Sequence, residues 1–192
     1  KFNWNVVWAD ADDPSSFERA VTPKTKAIYI ESIANPGGVV VDIPAIAAVA
    51  KKAGVPLIVD NTLATPYLCR PKEHGADIVI HSLTKFLGGH GNSLGGILVD
   101  CGTFDWLGSG RFPTLSQPNP SYHGKVMAEV FGNIAFAIAA RTLGLRDLGP
   151  AISPFNAFLI LTGIETLPLR MARHCENAFA VASWLEKNPS IA

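Results

Sequence analysis

Five short apolar runs, too uniformly apolar to alternate, constrain this chain more than anything else in it. They are Val6–Ala9, Lys26–Glu31, Pro56–Asp60, Asp77–His81 and Gly95–Asp100. Strands of this kind are covered on both faces, since a half-exposed strand carries a polar residue at every second position. Helical segments separate several of them. The expected class is therefore α/β, a mostly parallel sheet with helices on both faces, leading into a C-terminal helix. The last run follows a glycine-rich loop and no clear helix, so its direction could be antiparallel. In such sheets ligands bind beyond the carboxyl ends of the strands. Asn35, Asp60 and the segment Ser82 to Lys85 all fall just past such ends.

The connecting segments carry their own punctuation. Asp12, Asp13 and Pro14 supply a cap and an early-turn proline for a helix that runs to Ala20. Asp42 and Pro44 open another, with Ile46, Val49 and Ala50 at helical spacing until Gly54. Residues 111–124 are rich in turn formers and read as loop. Further helices are expected over Val126–Thr142, Pro154–Leu161 and Thr166–Lys187. The last places Leu169, Ala172, Ala178, Val181 and Leu185 on one broad apolar face that looks outward for a partner.

Composition narrows the function classes. Hydrophobic residues make up 48% of the 192 and charged residues 17%, which implies surface buried against something else. Sixteen basic and sixteen acidic side chains leave a formal net charge of zero, so nucleic acid and anionic membranes are not expected partners. Cys69, Cys101 and Cys175 are odd in number and widely spaced. They fit neither a disulfide scaffold nor a metal site, and a reduced, cytoplasmic compartment suits them. No run is expected to reach transmembrane length, and Lys1 to Trp4 does not read as a signal peptide. The chain opens without Met and almost inside a strand pattern, as an internal portion of a longer protein would.

The residues past the strand ends form a chemical set. Lys85 sits between Ser82, Thr84 and the run Phe86–Gly89. A lysine in so apolar and crowded a setting is expected to be paired or lowered in pKa, which favours a nucleophilic amine. Ser82 and Thr84 can donate to phosphate oxygens, and the glycines let backbone approach a ligand. Asp60 ends its strand as a turn or cap residue would, yet one strand-crossover-strand away from Lys85 it can also face a pyridine nitrogen. Amine, carboxylate and small hydroxyls are what pyridoxal phosphate requires. Asn35 is a turn residue that can also donate to the cofactor hydroxyl or to a substrate carboxylate. His90 and His123 lie in glycine-rich loops and read as structural or solvated, and Cys69 as a small apolar filler.

Asp60, Asn61 and Thr62, with Ser82, Thr84 and Lys85 and preceded by Glu31, Asn35 and Pro36, resemble the Cys/Met-metabolism family of pyridoxal phosphate enzymes. The segments Thr65–Pro71, His74–Val79, Lys85–Gly91, Arg111–Pro113, Pro120–Gly124 and Ser153–Phe158 resemble its O-acetylhomoserine sulfhydrylase branch. The resemblance implies the large domain of the fold-type I transferases. It makes Lys85 the lysine that carries the cofactor and Asp60 the partner of the ring nitrogen. Ser82 and Thr84 become phosphate ligands, and Asn35 and Thr62 join the cofactor-binding set.

The implied reaction is γ-replacement: Lys85 moves protons at Cα and Cβ, acetate leaves Cγ, and sulfide or a thiol takes its place. A lyase acting on cystathionine or methionine, a homoserine-ester synthase, and a catalytically incomplete fragment are the alternatives. The family also implies a homotetramer with shared active sites. Residues 1–165 would form the central part of the cofactor domain, and residues 166–192 a helix leading to a further domain. The rest of the phosphate loop and the arginine for the substrate carboxylate would lie outside these 192 residues.

Overall fold

A computed structural model describes residues 3–191. The outermost limits of the two expected segments, and the start of the Lys1 to Trp4 reading, lie outside the described residues. Four strands form the main sheet: β1 (Ile28–Glu31), β2 (Leu57–Asp60), β3 (Ile78–Ser82) and β4 (Gly96–Asp100), side by side in that order. β1, β2 and β3 are parallel, with Glu31 opposite Asp60 and Asp60 opposite Ile80. β4 is antiparallel to β3, pairing Ser82 with Gly96 and Ile78 with Asp100. The link between them, residues 83–95, holds one short helical turn and then a glycine-rich loop, and the chain returns beside β3 in the reverse direction.

Helices cover both faces, as expected. On one lie α1 (Pro14–Ala20) and α2 (Ile43–Ala53). Asp13 accepts from the N–H of Ser15, and Asp42 from that of Ala45. Gly54, at φ 64°, ends α2 in the left-handed conformation that glycine adopts without strain. Ile43, Ile46 and Ala50 of α2 pack onto Ile28, Ile30, Leu57, Val59 and Val79. Full burial of a side chain such as Leu57 or Ile46 contributes about 1.5–3 kcal/mol.

The opposite face carries a second core. Ile58, Ile78 and Ile80 meet Trp106, with Leu115 from α4 (Pro113–Ser116), Met127 and Ala128 from α5 (Met127–Phe131), and Ala135 and Ala139 from α6 (Ala135–Ala139). Trp106 stacks on Phe136 at 5.0 Å between centroids, with Phe112 edge-on. A small hairpin of β5 (Pro118–Asn119) and β6 (Lys125–Val126) borders this core.

Three expectations need correction. Val6–Ala9 pairs with no strand among the described residues; Val6, Val7 and Trp8 are 71%, 68% and 90% exposed. Apolarity alone does not make a strand without a neighbour to complete its ladder. The single helix expected over Val126–Thr142 is broken. Gly132 takes φ 54° after α5, and a wide turn at Ala140–Leu145 links α6 to α7 (Arg146–Leu148). The run Met127–Leu148 also has the length and composition of a membrane span, with a mean hydropathy of 1.2, which the sequence reading missed. In this fold Met127, Ala128, Ala135 and Ala139 from that run face the sheet.

The last helices are α8 (Pro154–Glu165), capped by Ser153, and α9 (Leu167–Glu186). Leu167 and Met171 of α9 pack on Leu87 in a third, smaller core. Phe155, Phe158, Phe179 and Trp184 of the two helices stay exposed. α8 passes so close to the turn after β3 that a Cβ on Gly163 would lie 2.0 Å from the carbonyl oxygen of Gly88.

A polar row crosses the α2 face just past the ends of β1 and β2 and through His81 of β3. The N–H of Ser32 donates to Asp60 (2.9 Å) and that of Asn61 to Ile80 (2.8 Å), so the ladder sets Ser32, Asn61 and His81 abreast. All three are buried, and Asn61 Nδ2 donates to the Cys69 carbonyl at 2.8 Å. Ser32 Oγ, Asn61 Oδ1 and His81 Nδ1 have no partner among the described residues. Burial pushes the His81 imidazole below its usual value, against the opposing pull of the Asn61 backbone and the Asp60 charge.

Two consequences are testable. The unfolded chain takes up a proton at His81 near pH 6.5, and the folded chain does so only at lower pH. Stability attributable to this group therefore falls as the pH drops through that value, and His81→Phe should flatten the acid limb of a plot of melting temperature against pH. An unchanged limb would refute the assignment. Gly163→Ala should cost about 1–3 kcal/mol through overpacking. Gly144→Ala, where nothing lies within 4 Å of the added carbon, should be neutral or slightly stabilising by thermal melting.

Candidate active site

The carboxyl ends of β1, β2 and β3 open into a cleft of about 790 Å³. Asn35, Asp60, Thr62, Ser82, Thr84 and Lys85 all line it, so the six residues expected to bind the cofactor meet in one place. A second hollow, of about 420 Å³ between Pro113 and Leu143, has no titratable side chain in its wall and offers no comparable chemistry.

Asp60 is held from two sides. Its Oδ1 accepts the N–H of Thr62 at 2.9 Å and the Thr62 hydroxyl, while its Oδ2 accepts the Tyr29 hydroxyl at 3.1 Å. Burial, reinforced by the Asp60 charge, pushes the Tyr29 phenol up to about 12, so it stays a donor. Thr62 Oγ1 in turn accepts the N–H of Ser82 at 2.8 Å. Its one proton is thus given to Asp60, and it bridges the ends of β2 and β3 rather than offering a donor to the cleft.

Lys85 lies in the turn Leu83–Leu87, where its φ of −92° and ψ of −130° break the helical path. The sequence reading expected an apolar, crowded lysine. Instead Lys85 is exposed in the cleft and forms no ion pair among the described residues. The apolar neighbours Leu83 and Leu87 pack onto Leu167 and Met171, and Phe86 joins that cluster while also lining the cleft. Thr84 Oγ1 accepts the N–H of Gly95 at 3.2 Å and donates to its carbonyl at 3.3 Å, tying the turn to the strand after it. The Ser82 hydroxyl makes no hydrogen bond among the described residues and is free to donate. Asn35 precedes a cis peptide bond to Pro36, and its backbone N–H donates to Glu31 Oε2 at 2.8 Å.

The structure adds cleft residues that sequence reasoning missed: Glu31, Arg170 and His174. The last two sit one helical turn apart on α9, and the His174 ring lies 5.3 Å from that of Phe86. Their distance along the chain from Lys85 hid them; an arginine amid apolar positions of a helix was the one available signal. His90 Nδ1 lies 2.7 Å from the Gly88 carbonyl, a structural contact, and His123 is an exposed left-handed residue beside β6. Neither His123 nor Cys69 lines the cleft.

The donor set fits pyridoxal phosphate. The cleft presents an unpaired primary amine, a carboxylate oriented by three donors, a hydroxyl with its proton free, and backbone at Gly89 and Gly91.

Comparison with known proteins agrees. The profile described as Cys/Met metabolism PLP-dependent enzyme matches residues 1–192. O-acetyl-L-homoserine sulfhydrylase of Leptospira meyeri is 55% identical over all of this chain and 45% of its own length. Homocysteine synthase of Schizosaccharomyces pombe is 53% identical over 96% of this chain and 43% of its own. The crystal structure of a putative O-acetylhomoserine (thiol)-lyase from Campylobacter jejuni, containing N'-pyridoxyl-lysine-5'-monophosphate, superposes with a TM-score of 0.87 at 40% identity. It matches 94% of this chain and 43% of its own. The chain thus spans less than half the length of these relatives. A lysine, an anchored aspartate and a free hydroxyl gathered at parallel strand ends, in a chain matched along its whole length, place it in the Cys/Met metabolism family of PLP-dependent enzymes.

Proposed function

We propose that this chain is the lysine-bearing portion of an O-acetylhomoserine sulfhydrylase, which converts O-acetyl-L-homoserine and sulfide to L-homocysteine and acetate. The observation that carries the reading is the convergence of Asn35, Asp60, Thr62, Ser82, Thr84 and Lys85 on one cleft. The names and identities of the relatives, 55% and 53% for the first two, support the choice of reaction.

In this reading Lys85 holds the cofactor covalently, and Asp60 faces its ring nitrogen, aimed by Tyr29 and Thr62. Ser82 gives its free hydroxyl proton to the phosphate, with Thr84 beside it. Asn35 serves the ring hydroxyl or the substrate carboxylate. Pyridoxal phosphate, when bound, supplies an electron sink for charge left on the substrate carbon next to the amino group. Once the substrate amino group displaces it from the cofactor, Lys85 Nζ is free in the cleft to take the proton from Cα, then one from Cβ, and to return both after the replacement. Acetate departs from Cγ with the bonding electrons, and sulfide restores the valence there.

We also read the intact protein as a cytoplasmic homotetramer. The exposed Phe155, Phe158, Phe179 and Trp184 and the three free cysteines support this.

The full-length protein with added pyridoxal phosphate should show an absorption band near the wavelength of a cofactor–lysine linkage. Borohydride should bleach it, with the reduced adduct mapping to Lys85. Lys85→Ala should abolish the adduct and lower turnover by about 10²–10⁴-fold or more. Absence of the band from the full-length protein would overturn the enzyme reading. Homocysteine should form with sulfide as nucleophile; cystathionine formed faster from cysteine would move the protein to the synthase alternative.

Turnover should also respond to Asp60. Asp60→Ala should lower kcat strongly while the reduced adduct still forms on Lys85. An unchanged kcat would remove Asp60 from the proposed role.

A further inference from the structure

The turn that carries Lys85 does not hold itself. Backbone bonds close it from the N–H of Gly88 to the Leu83 and Lys85 carbonyls and from that of Gly89 to the Lys85 carbonyl. The backbone at Lys85 departs from the helix, and the Phe86 and Leu87 carbonyls point out of the turn. One side chain meets them. Arg170 Nη1 donates to the Phe86 carbonyl at 2.8 Å, and Nη2 to the Leu87 carbonyl at 3.4 Å. The same guanidinium reaches the end of α8: Nη2 donates to the Gly163 carbonyl at 2.8 Å and Nε to Thr166 Oγ1 at 3.0 Å.

Two glycines make room for this junction. A Cβ on Gly89, itself at φ 71°, would lie 2.4 Å from Arg170 Nη1, and one on Gly163 would strike the Gly88 carbonyl. No carboxylate pairs with Arg170 among the described residues; its hydrogen bonds go to carbonyl and hydroxyl oxygens of α8, its junction with α9, and the turn. A planar fork can serve several such acceptors at once, which a lysine ammonium cannot do in the same geometry.

We infer that Arg170 is the positioning residue of Lys85: its guanidinium locks the turn onto the α8–α9 junction and so fixes where the amine stands in the cleft. The inference rests on the reading of Lys85 as the cofactor-bearing lysine. Arg170 is not assigned contact with substrate or cofactor: four of its five N–H donors are committed to the protein. Misplacing a reacting amine by about 1 Å can cost on the order of a hundredfold in rate.

The test compares full-length wild type with Arg170→Met and Arg170→Lys. In the cofactor-free proteins, hydrogen exchange should accelerate in residues 83–89 for both variants while the amides of β1 to β3 keep their protection. In the loaded proteins, visible circular dichroism per bound cofactor should fall, and kcat should drop by about a hundredfold with KM for O-acetylhomoserine little changed. Arg170→Lys should fail to rescue. Wild-type exchange in residues 83–89 together with wild-type dichroism and kcat in Arg170→Met would overturn the inference. So would full rescue by lysine. Should Arg170→Met fail to fold, Gly89→Ala disturbs the same contact with the arginine intact. The same dichroism and kcat losses are expected there, and a wild-type result would overturn the inference. A wild-type protein that forms no cofactor band overturns the proposed function instead, and does so before any variant is made.

Discussion

The site depends on the parallel register that stops β1 and β2 at one level and carries β3 two residues further, beside β4. Because Glu31, Asp60 and Ile80 stand abreast, the residues just beyond them emerge along a single line and not at staggered depths. Hydrophobic burial on both faces fixes that register, since a one-residue slip would turn Leu57 and Val59 out of one core and Ile58 into it. The ladder runs one residue further, through the N–H groups of Ser32 and Asn61, before the strands part into loops. The polar side chains of the cleft owe their common level to this arrangement.

At that boundary the energetic character changes from area to direction. Behind it, Leu57, Val59 and Ile46 are held by non-directional burial. At it, Tyr29, Asp60, Thr62 and the Ser82 N–H form a chain of hydrogen bonds that ties three strand ends together and aims one carboxylate. Each such bond adds about 0.5–1.5 kcal/mol net, small beside the core, yet the bonds decide orientation. The turn after β3 repeats the division: Leu87 anchors it by burial against Leu167 and Met171, while Thr84 and Arg170 set its angle.

Much of this was legible in the sequence because it is local. The runs at 26–31, 56–60 and 77–81 identified three strands, and their last residues identified the edge of the sheet where the six predicted side chains meet. Asp42 and Gly54 marked both ends of α2 from cap chemistry alone. Features that depend on a distant partner were not legible. Val6–Ala9 had the composition of a strand and no neighbour to pair with. The break at Gly132 comes from a left-handed glycine inside an apolar run, which periodicity does not weigh. Lys85 was expected to be crowded because Phe86 and Leu87 adjoin it in sequence, whereas the backbone breaks at Lys85, Leu87 is buried against α9, and the lysine stays exposed. Thr62 was grouped with the ligands, and its role in orienting Asp60 emerged only with the bond from the Ser82 N–H.

The contact between Arg170 and the turn at Phe86 joins residues 84 positions apart. Protein synthesis is directional, and that separation is also an interval of time. At about 5–20 residues per second, roughly 4–17 s pass between the synthesis of the turn and that of its clamp. The strands that position Asp60 and Ser82 are already made by then, and the two apolar cores can begin to close on them. Lys85 therefore belongs to the last part of the cleft to be completed, and a nascent chain displays a bare amine at the sheet edge before it has a defined place to put it.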